Sequence, residues 1–199
     1  MAKLYYQGHG SYRITSAAGK VIYVDPYAGD GYGPLADLVL VTHQHFDHNR
    51  LDLVHLKQGA RVITNFEALA GGVHQTYYLD WAKVEATWAE NAHHDPNDCV
   101  GFILSLDGVS LYCSGDTSKY AAMADLAARH LDYAILPGDG IYNMNLAEAA
   151  ECAELIGAKH NIIIHLSPDG PDPLFDLAKA EVWTAPNKLI IKPGEEIEL

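Results

Sequence analysis

Positive charge is scarce in this sequence: 13 Lys and Arg stand against 26 Asp and Glu, a formal net charge of −13 with histidine neutral. Holding nucleic acid by its phosphates needs clustered Lys and Arg, and the few here are spread along the chain, so no nucleic acid is expected as a partner. Cysteine is scarcer still. Cys99, Cys113 and Cys152 are odd in number and form no CxxC pair, which argues against a disulfide framework and suits a reducing compartment. None adjoins a histidine motif as a thiol nucleophile needs, and all fall in apolar patterns, so they read as small core residues. No stretch approaches the roughly 18 apolar residues of a membrane span, and "MAKLYYQGHG" has no apolar leader segment. A cytoplasmic protein without a membrane span is expected. Also missing are the GxSxG, P-loop and GxGxxG patterns.

What is present is an ordinary globular composition, 49% apolar and 20% charged over 199 residues, with no linker-like run. One domain over residues 1–199 is expected. Short β-branched and aromatic runs open it, "KLYYQ" (3–7), "SYRIT" (11–15) and "KVIYVD" (20–25), punctuated by glycine. "DLVLV" (37–41) reads as a strand buried on both faces, and "RVIT" (61–64) as a strand leading to a short helix over 65–72. "KVEATWAE" (83–90), "CVGFILSL" (99–106) and "VSLYCSG" (109–115) read as strands. Asp107-Gly108 joins the last two, a hairpin signal because type I′ turns need positive φ.

Beyond residue 118 the period becomes helical, with Tyr120, Met123, Ala127 and His130 at helix spacing before the strand "LDYAILP" (131–137). The best-marked helix is 146–156, with Asn145 as cap, Glu148 placed to close a capping box and Gly157 as stop. "HNIIIHL" (160–166), a weaker helix over 174–181, "KLIIK" (188–192) and "EEIEL" (195–199) complete the chain. Hairpins early and strand-helix alternation late predict an α/β (α+β) fold: two mixed sheets face to face with helices outside, a four-layer αββα sandwich.

The stretch "THQHFDHN" (42–49) holds three of the chain's eleven histidines and an aspartate, directly after a buried strand. His43 and His45, two apart, can project to the same side of an extended segment and share one ion. Asp47 and His48, being adjacent, diverge at the next turn and can reach a second ion. A lone histidine in a loop is usually a solvated or capping group; this co-occurrence is what points to metal.

"HQHFDH" matches the HxHxDH signature of the metallo-β-lactamase superfamily, and the resemblance continues along residues 8–166. "AHHDPNDCVGFIL" resembles the family's third-histidine motif, "LYCSGDT" its strand-Gly-Asp-Thr, and "IIIHL" its late histidine at a strand end. The opening "GHGSYRI" and "VIYVDP", with "IYNMNLAEAAE" (141–151), further resemble small metal-dependent hydrolases related to ascorbate-6-phosphate lactonase and to the phospholipase D that cleaves N-acyl phosphatidylethanolamines.

The resemblance implies His43, His45 and His94 on one ion, Asp47, His48 and His165 on a second, and Asp116 between them. His93 adjoins His94, and a one-residue slip of the loop places either at the metal, with His94 preferred. Two divalent ions are implied, zinc first, with Mn²⁺ and Fe²⁺ as alternatives. His9, in a Gly-flanked turn, stands near the active-site mouth of such proteins or serves structure alone. Asp25 either orients a ligand histidine or caps a turn. Thr117 reads as a turn or supporting hydroxyl. Tyr142 and Asn143 either touch substrate or have no catalytic task, and Asp139 is a candidate supporting acid. His55, His74, His130 and His160 have no partners at useful spacing.

The expectation is a dinuclear metal-dependent hydrolase with Asp47 and Asp116 in the catalytic centre. Two bridged cations lower the pKa of a shared water from about 15.7 toward 7, and that metal-bridging hydroxide attacks an ester, lactone or phosphodiester in a small-molecule or lipid-like substrate. The alternatives are a small phosphodiesterase acting on nucleotides and a non-catalytic metal-binding or sensing module. A homo-oligomer is compatible with open sheets.

Overall fold

The alternation of apolar residues resolves into two mixed sheets in the computed structural model, which describes residues 1–170 and 172–199. The first contains β1 (Lys3–Gly8), β2 (Ser11–Thr15), β3 (Val21–Val24), β4 (Ala36–Leu40), β5 (Leu56–Ile63) and β13 (Glu196–Glu198), in the order β13-β1-β2-β3-β4-β5. The second contains β6 (Thr76–Leu79), β7 (Ala82–Trp88), β8 (Val100–Leu106), β9 (Val109–Cys113), β10 (Tyr133–Pro137), β11 (His160–Ile164) and β12 (Lys188–Leu189), in the order β12-β11-β10-β9-β8-β7-β6. Each sheet begins antiparallel and turns parallel. The change falls at β3–β4 in the first and at β9–β10 in the second.

One apolar cluster joins the layers, with Leu4, Ile14, Ile22, Leu38 and Leu40 from the first sheet and Val84, Phe102, Leu104, Leu111 and Ile163 from the second. Period two sends Val39 and Val41 the other way, into a smaller cluster with Val21, Tyr23 and Val54 under Tyr32 of the 26–36 loop. Main-chain bonds also cross between the sheets: Val100 N–H donates to Thr42 O, and His165 N–H to His9 O, each at 3.0 Å.

Turn chemistry follows the sequence closely. Asp107 and Gly108 both have positive φ, 51° and 80°, as the hairpin requires. Helices α1 (Asn65–Ala68), α2 (Leu146–Ile156) and α3 (Leu177–Val182) are present, and Asn145 caps α2 by accepting from Ala147 N–H and Glu148 N–H, with Gly157 left-handed at its end. Glu148 does not close the expected capping box. Its carboxylate accepts from Lys119 N–H at 2.8 Å instead, tying α2 to the segment after β9.

The helix expected over 118–130 is a 3-10 helix over Ala121–Arg129. Its buried residues recur every third position, Tyr120, Met123 and Leu126, whereas Ala127 and His130 are exposed. A repeat of three fits the tighter helix, whose side chains at i and i+3 eclipse. Strand β6 carries no buried residue, which is why its sequence gave little signal. The last strands are shorter than their apolar runs.

Asp37, at the start of β4, binds three donors: Val21 N–H, Lys20 Nζ and Lys57 Nζ. Burial raises this carboxyl, and the two lysines with the amide more than reverse it, leaving it below the ordinary carboxylate value. A depressed folded pKa contributes stability that is complete above the unfolded value of about 3.9 and is lost as pH falls through the folded one. The lysine side chains are 40% and 36% exposed, which limits the contribution to about 1 kcal/mol. Asp37→Asn should therefore lower the urea midpoint at pH 7, and the gap from the parent should close as pH falls below about 3.9. A gap that stays constant with pH refutes this role.

Candidate metal centre

The carboxyl ends of the parallel strands gather polar residues at one edge, where open α/β sheets bind ligands. Asp25 follows β3, Thr42 and His43 follow β4, Asp116 follows β9, Asp139 follows β10 and His165 follows β11. The turn after β4 carries His45, Asp47 and His48 and is closed by His48 N–H donating to His45 O at 3.0 Å. His94 lies between β7 and β8, where it exchanges main-chain bonds of 3.1 and 3.2 Å with Asn91. His9 sits in the β1–β2 turn at φ 56°.

Where the ring protons go decides what these histidines can do. Thr42 Oγ1 donates to Asp25 Oδ2 at 2.7 Å, so it accepts from His43 Nδ1 at 3.0 Å. Asn91 Oδ1 accepts from His94 Nδ1 at 2.8 Å, and Asp25 Oδ2 from His48 Nδ1 at 3.0 Å. Asp139 Oδ2 lies 3.1 Å from His165 Nδ1. In the rings of His43, His48 and His94 Nδ1 is hydrogen-bonded to an acceptor, which leaves Nε2 as the lone-pair nitrogen of the neutral ring, whereas His165 Nδ1 lies beside Asp139 without a hydrogen bond.

Three of these Nε2 atoms face one carboxylate. Asp116 Oδ1 is 3.5 Å from His48 Nε2, and Oδ2 is 3.5 and 3.4 Å from His94 and His165 Nε2. His45 Nδ1 stands 3.1 Å from His43 Nε2 and 3.2 Å from His94 Nε2. The buried Nε2 atoms of His48 and His165 have no hydrogen-bond partner. Converging lone pairs around an anion repel unless cations lie among them, and this donor set of imidazoles and carboxylates fits first-row divalent ions.

Titration tendencies carry the same message. Burial holds His43 well below the usual imidazole value and brings His94 down to about 4, so neither competes for protons. Burial also lowers His48, but Asp116 and Asp25 outweigh it and push the ring up to about 9. Asp116 and Asp139 raise His165 against burial in the same way. Burial raises Asp116, and the surrounding histidines more than compensate, holding it well below the carboxylate range. The field at Asp116 demands positive charge.

The ligand-capable atoms fall into overlapping groups within 4.8 Å: His43, His45 and His94; His43, His48 and Asp116; and His9, Asp47, His48 and His165. The structure thus brings together all seven residues implied by the family resemblance, and adds His9. That ring is 2% exposed and lies against His165, with centroids 3.9 Å apart. Its Nδ1 is 3.1 Å from Pro173 O and its Nε2 3.0 Å from Asp47 Oδ2. A neutral ring donating to the carbonyl turns a lone pair on Asp47, and burial lowers the His9 pKa more than Asp47 raises it. A cation beside Asp47 relieves that conflict.

Asp25 does more than cap a turn, since it holds Thr42 and His48 together. Thr117 faces away from the centre: Oγ1 accepts from Glu90 N–H at 3.0 Å and donates to Glu90 O at 3.1 Å. His93 is exposed with its ring against Tyr142, whereas His94 is 3% exposed and turned inward. Asn143 bridges Asp139 and Asn91 behind the site. Two glycines make room for the ligands. A Cβ on Gly10 would stand 2.7 Å from His48 Cε1, and one on Gly115, at φ 62°, would stand 2.8 Å from Thr42 Cβ.

A cavity of about 400 Å³ opens over the centre, with Tyr27, Phe46 and Tyr142 among its lining residues. No Ser or Cys lines it among the described residues. All three cysteines are buried elsewhere, and burial pushes each thiol up to about 12.

A model of the β-lactamase superfamily domain matches residues 3–165, a span containing all seven candidate ligands. The UPF0173 metal-dependent hydrolase of Pyrococcus furiosus is 29% identical over the whole of both chains. That of Methanoregula boonei is 32% identical over 79% of each. Igni18, a metallo hydrolase of Ignicoccus hospitalis, superposes with a TM-score of 0.76 at 22% identity, over 98% of this chain and 97% of its own. A metallo-β-lactamase fold protein of Bacillus subtilis does so with 0.69 at 17% identity over 98% of each. Motif, site and domain match agree: the chain belongs to the β-lactamase superfamily and has the metallo-β-lactamase fold.

Proposed function

We infer that this protein is a metal-dependent hydrolase that holds two divalent cations, zinc first, and cleaves an ester, lactone or phosphodiester. The observation that carries the reading is the set of inward-facing Nε2 atoms around Asp116, two of them buried with no hydrogen-bond partner. Relatives that align over their whole length bear the name metal-dependent hydrolase.

His43, His45 and His94 would hold one ion and Asp47, His48 and His165 the other, with Asp116 between the two groups. When bound, such a pair supplies an activated water near neutral pH and polarises the oxygen of the electrophile. The protein's own work is orientation. Asp25 fixes the ring of His48, and Thr42 and Asn91 those of His43 and His94, while Asp139 lies 3.1 Å from His165 Nδ1 and His9 Nε2 lies 3.0 Å from the carboxylate of Asp47. Cavity walls without serine or cysteine among the described residues fit a reaction in which water attacks directly.

Purified protein loaded with Zn²⁺ should carry two ions per chain by elemental analysis and turn over at least one member of a panel of lactones, thioesters and aryl phosphodiesters. Two bound ions with no turnover on that panel or a broad metabolite screen would favour a binding or sensing module. Asp116→Ala should abolish turnover and weaken both ions while the circular dichroism spectrum is kept; full activity in that variant disproves its central place. His94→Ala should cost metal affinity and His93→Ala should not. Gly10→Ala removes no ligand, yet its methyl must displace the His48 ring. We expect metal affinity to fall by about tenfold in a chelator competition, the order seen when the support of a ligand is lost, and unchanged affinity would show that His48 does not bind metal.

A further inference from the structure

The cavity over the centre also carries information about what enters it. Three aromatic rings line it beyond the candidate ligands. Phe46 lies between His45 and Asp47 in the sequence and is 72% exposed, touched edge-on by Tyr27 with ring centroids 5.9 Å apart. Tyr142 is 39% exposed and meets the exposed His93 edge-on at 5.6 Å. A phenyl ring in water forgoes the transfer free energy that burial would give it, about 25 cal/mol per Å², so a solvent-facing Phe in a cavity wall is a surface waiting for an apolar partner.

Charge sorts the possibilities further. Among the described residues, none of the 13 Lys and Arg lines this cavity. The nearby cations are engaged elsewhere: Lys179 Nζ donates to Leu166 O at 2.7 Å and to Asp139 O at 3.4 Å, and Arg50 makes two 2.8 Å bonds to Asp52. Beyond the candidate ligands Asp47 and Asp116, the carboxylate of Asp169 lines it. An anionic substituent reaching past the metal centre would meet this acid without the guanidinium fork or ammonium that commonly receives it. A carbonyl carries no formal charge. The volume of about 400 Å³ suits a small molecule.

We propose that the site is built for an uncharged carboxylic ester or lactone bearing a flat apolar substituent, which Phe46, Tyr27 and Tyr142 receive. This rests on the metal-centre reading above. In the reaction the oxygen of water bonds to the carbonyl carbon, the bond from that carbon to the leaving oxygen breaks with its electron pair, and a water proton passes to that oxygen. The products are a carboxylic acid and an alcohol, joined in one hydroxy acid when the substrate is a lactone.

Binding of three non-reacting probes to zinc-loaded protein tests the proposal by isothermal titration: acetohydroxamate, benzohydroxamate and phenylphosphonate. The two hydroxamates share a metal-gripping head and differ in the ring; the phosphonate keeps the ring and adds anionic charge. Benzohydroxamate should bind about tenfold more tightly than acetohydroxamate, and phenylphosphonate more weakly than benzohydroxamate. Phe46→Ala and Tyr142→Ala, each checked for zinc content, should reduce the ratio between the hydroxamates, and the double variant should bring it close to one. The proposal is overturned if the phosphonate binds more tightly than benzohydroxamate, or if the ratio survives in the double variant. Zinc-loaded protein that binds neither hydroxamate would bring down the metal-centre reading itself, a failure distinct from the other two.

Discussion

The arrangement of this molecule's polar centre depends on the placement of three imidazole protons. His43, His48 and His94 each turn Nδ1 toward an oxygen acceptor, and that outward placement frees Nε2 to face inward. Asp25 is the joint of this system. It accepts from Thr42 N–H and Oγ1 and from His48 Nδ1, and because Thr42 has spent its hydroxyl proton there it must accept from His43. One buried carboxylate therefore fixes the tautomer of rings on both sides of Asp116. Asp25 holds its left-handed φ of 46° where the chain leaves β3, a conformation that costs an aspartate less than most residues.

The fold supports that joint by geometry. Apart from β13, both sheets spend their antiparallel strands first and their parallel strands later, and the carboxyl ends of the parallel strands in the two layers meet at the same edge. Side chains from β3, β4, β9, β10 and β11 can then converge, although their positions run from 25 to 165. Apolar packing between the layers sets their separation, and small residues permit the approach. Gly101 shows the tolerance: a Cβ there would lie 2.9 Å from both Cys113 O and Ser114 O, just before Asp116.

The sequence was legible where chemistry and spacing coincide. HxHxDH after a buried strand, Gly-Asp-Thr after another and a histidine closing a third led to the residues that meet in space. The hairpin at Asp107-Gly108 and the cap at Asn145 were legible because few residues satisfy those backbone angles. The supporting groups were harder to read. Thr42 and Asn91 are common polar residues whose roles depend on which oxygen of a distant partner they face, and Gly10 matters only because the His48 ring lies across from it. The segment 118–130 misled because a repeat of three and a repeat of three and four share most of their apolar positions, and tertiary packing chose the tighter helix. Strand β6 pairs at a sheet edge without burying a residue, so hydrophobic pattern had nothing to mark.

The main-chain bonds that cross between the layers, from Val100 to Thr42 and from His165 to His9, have three of their four ends on or beside candidate ligands. Cohesion of the sandwich and occupancy of its centre are therefore linked by mass action: ions that bind only the closed form add RT ln(1 + [L]/Kd) to its stability. With ions bound there, that edge would also act as a clasp, and the free-ion level of the surroundings would set how firmly the two layers stay together.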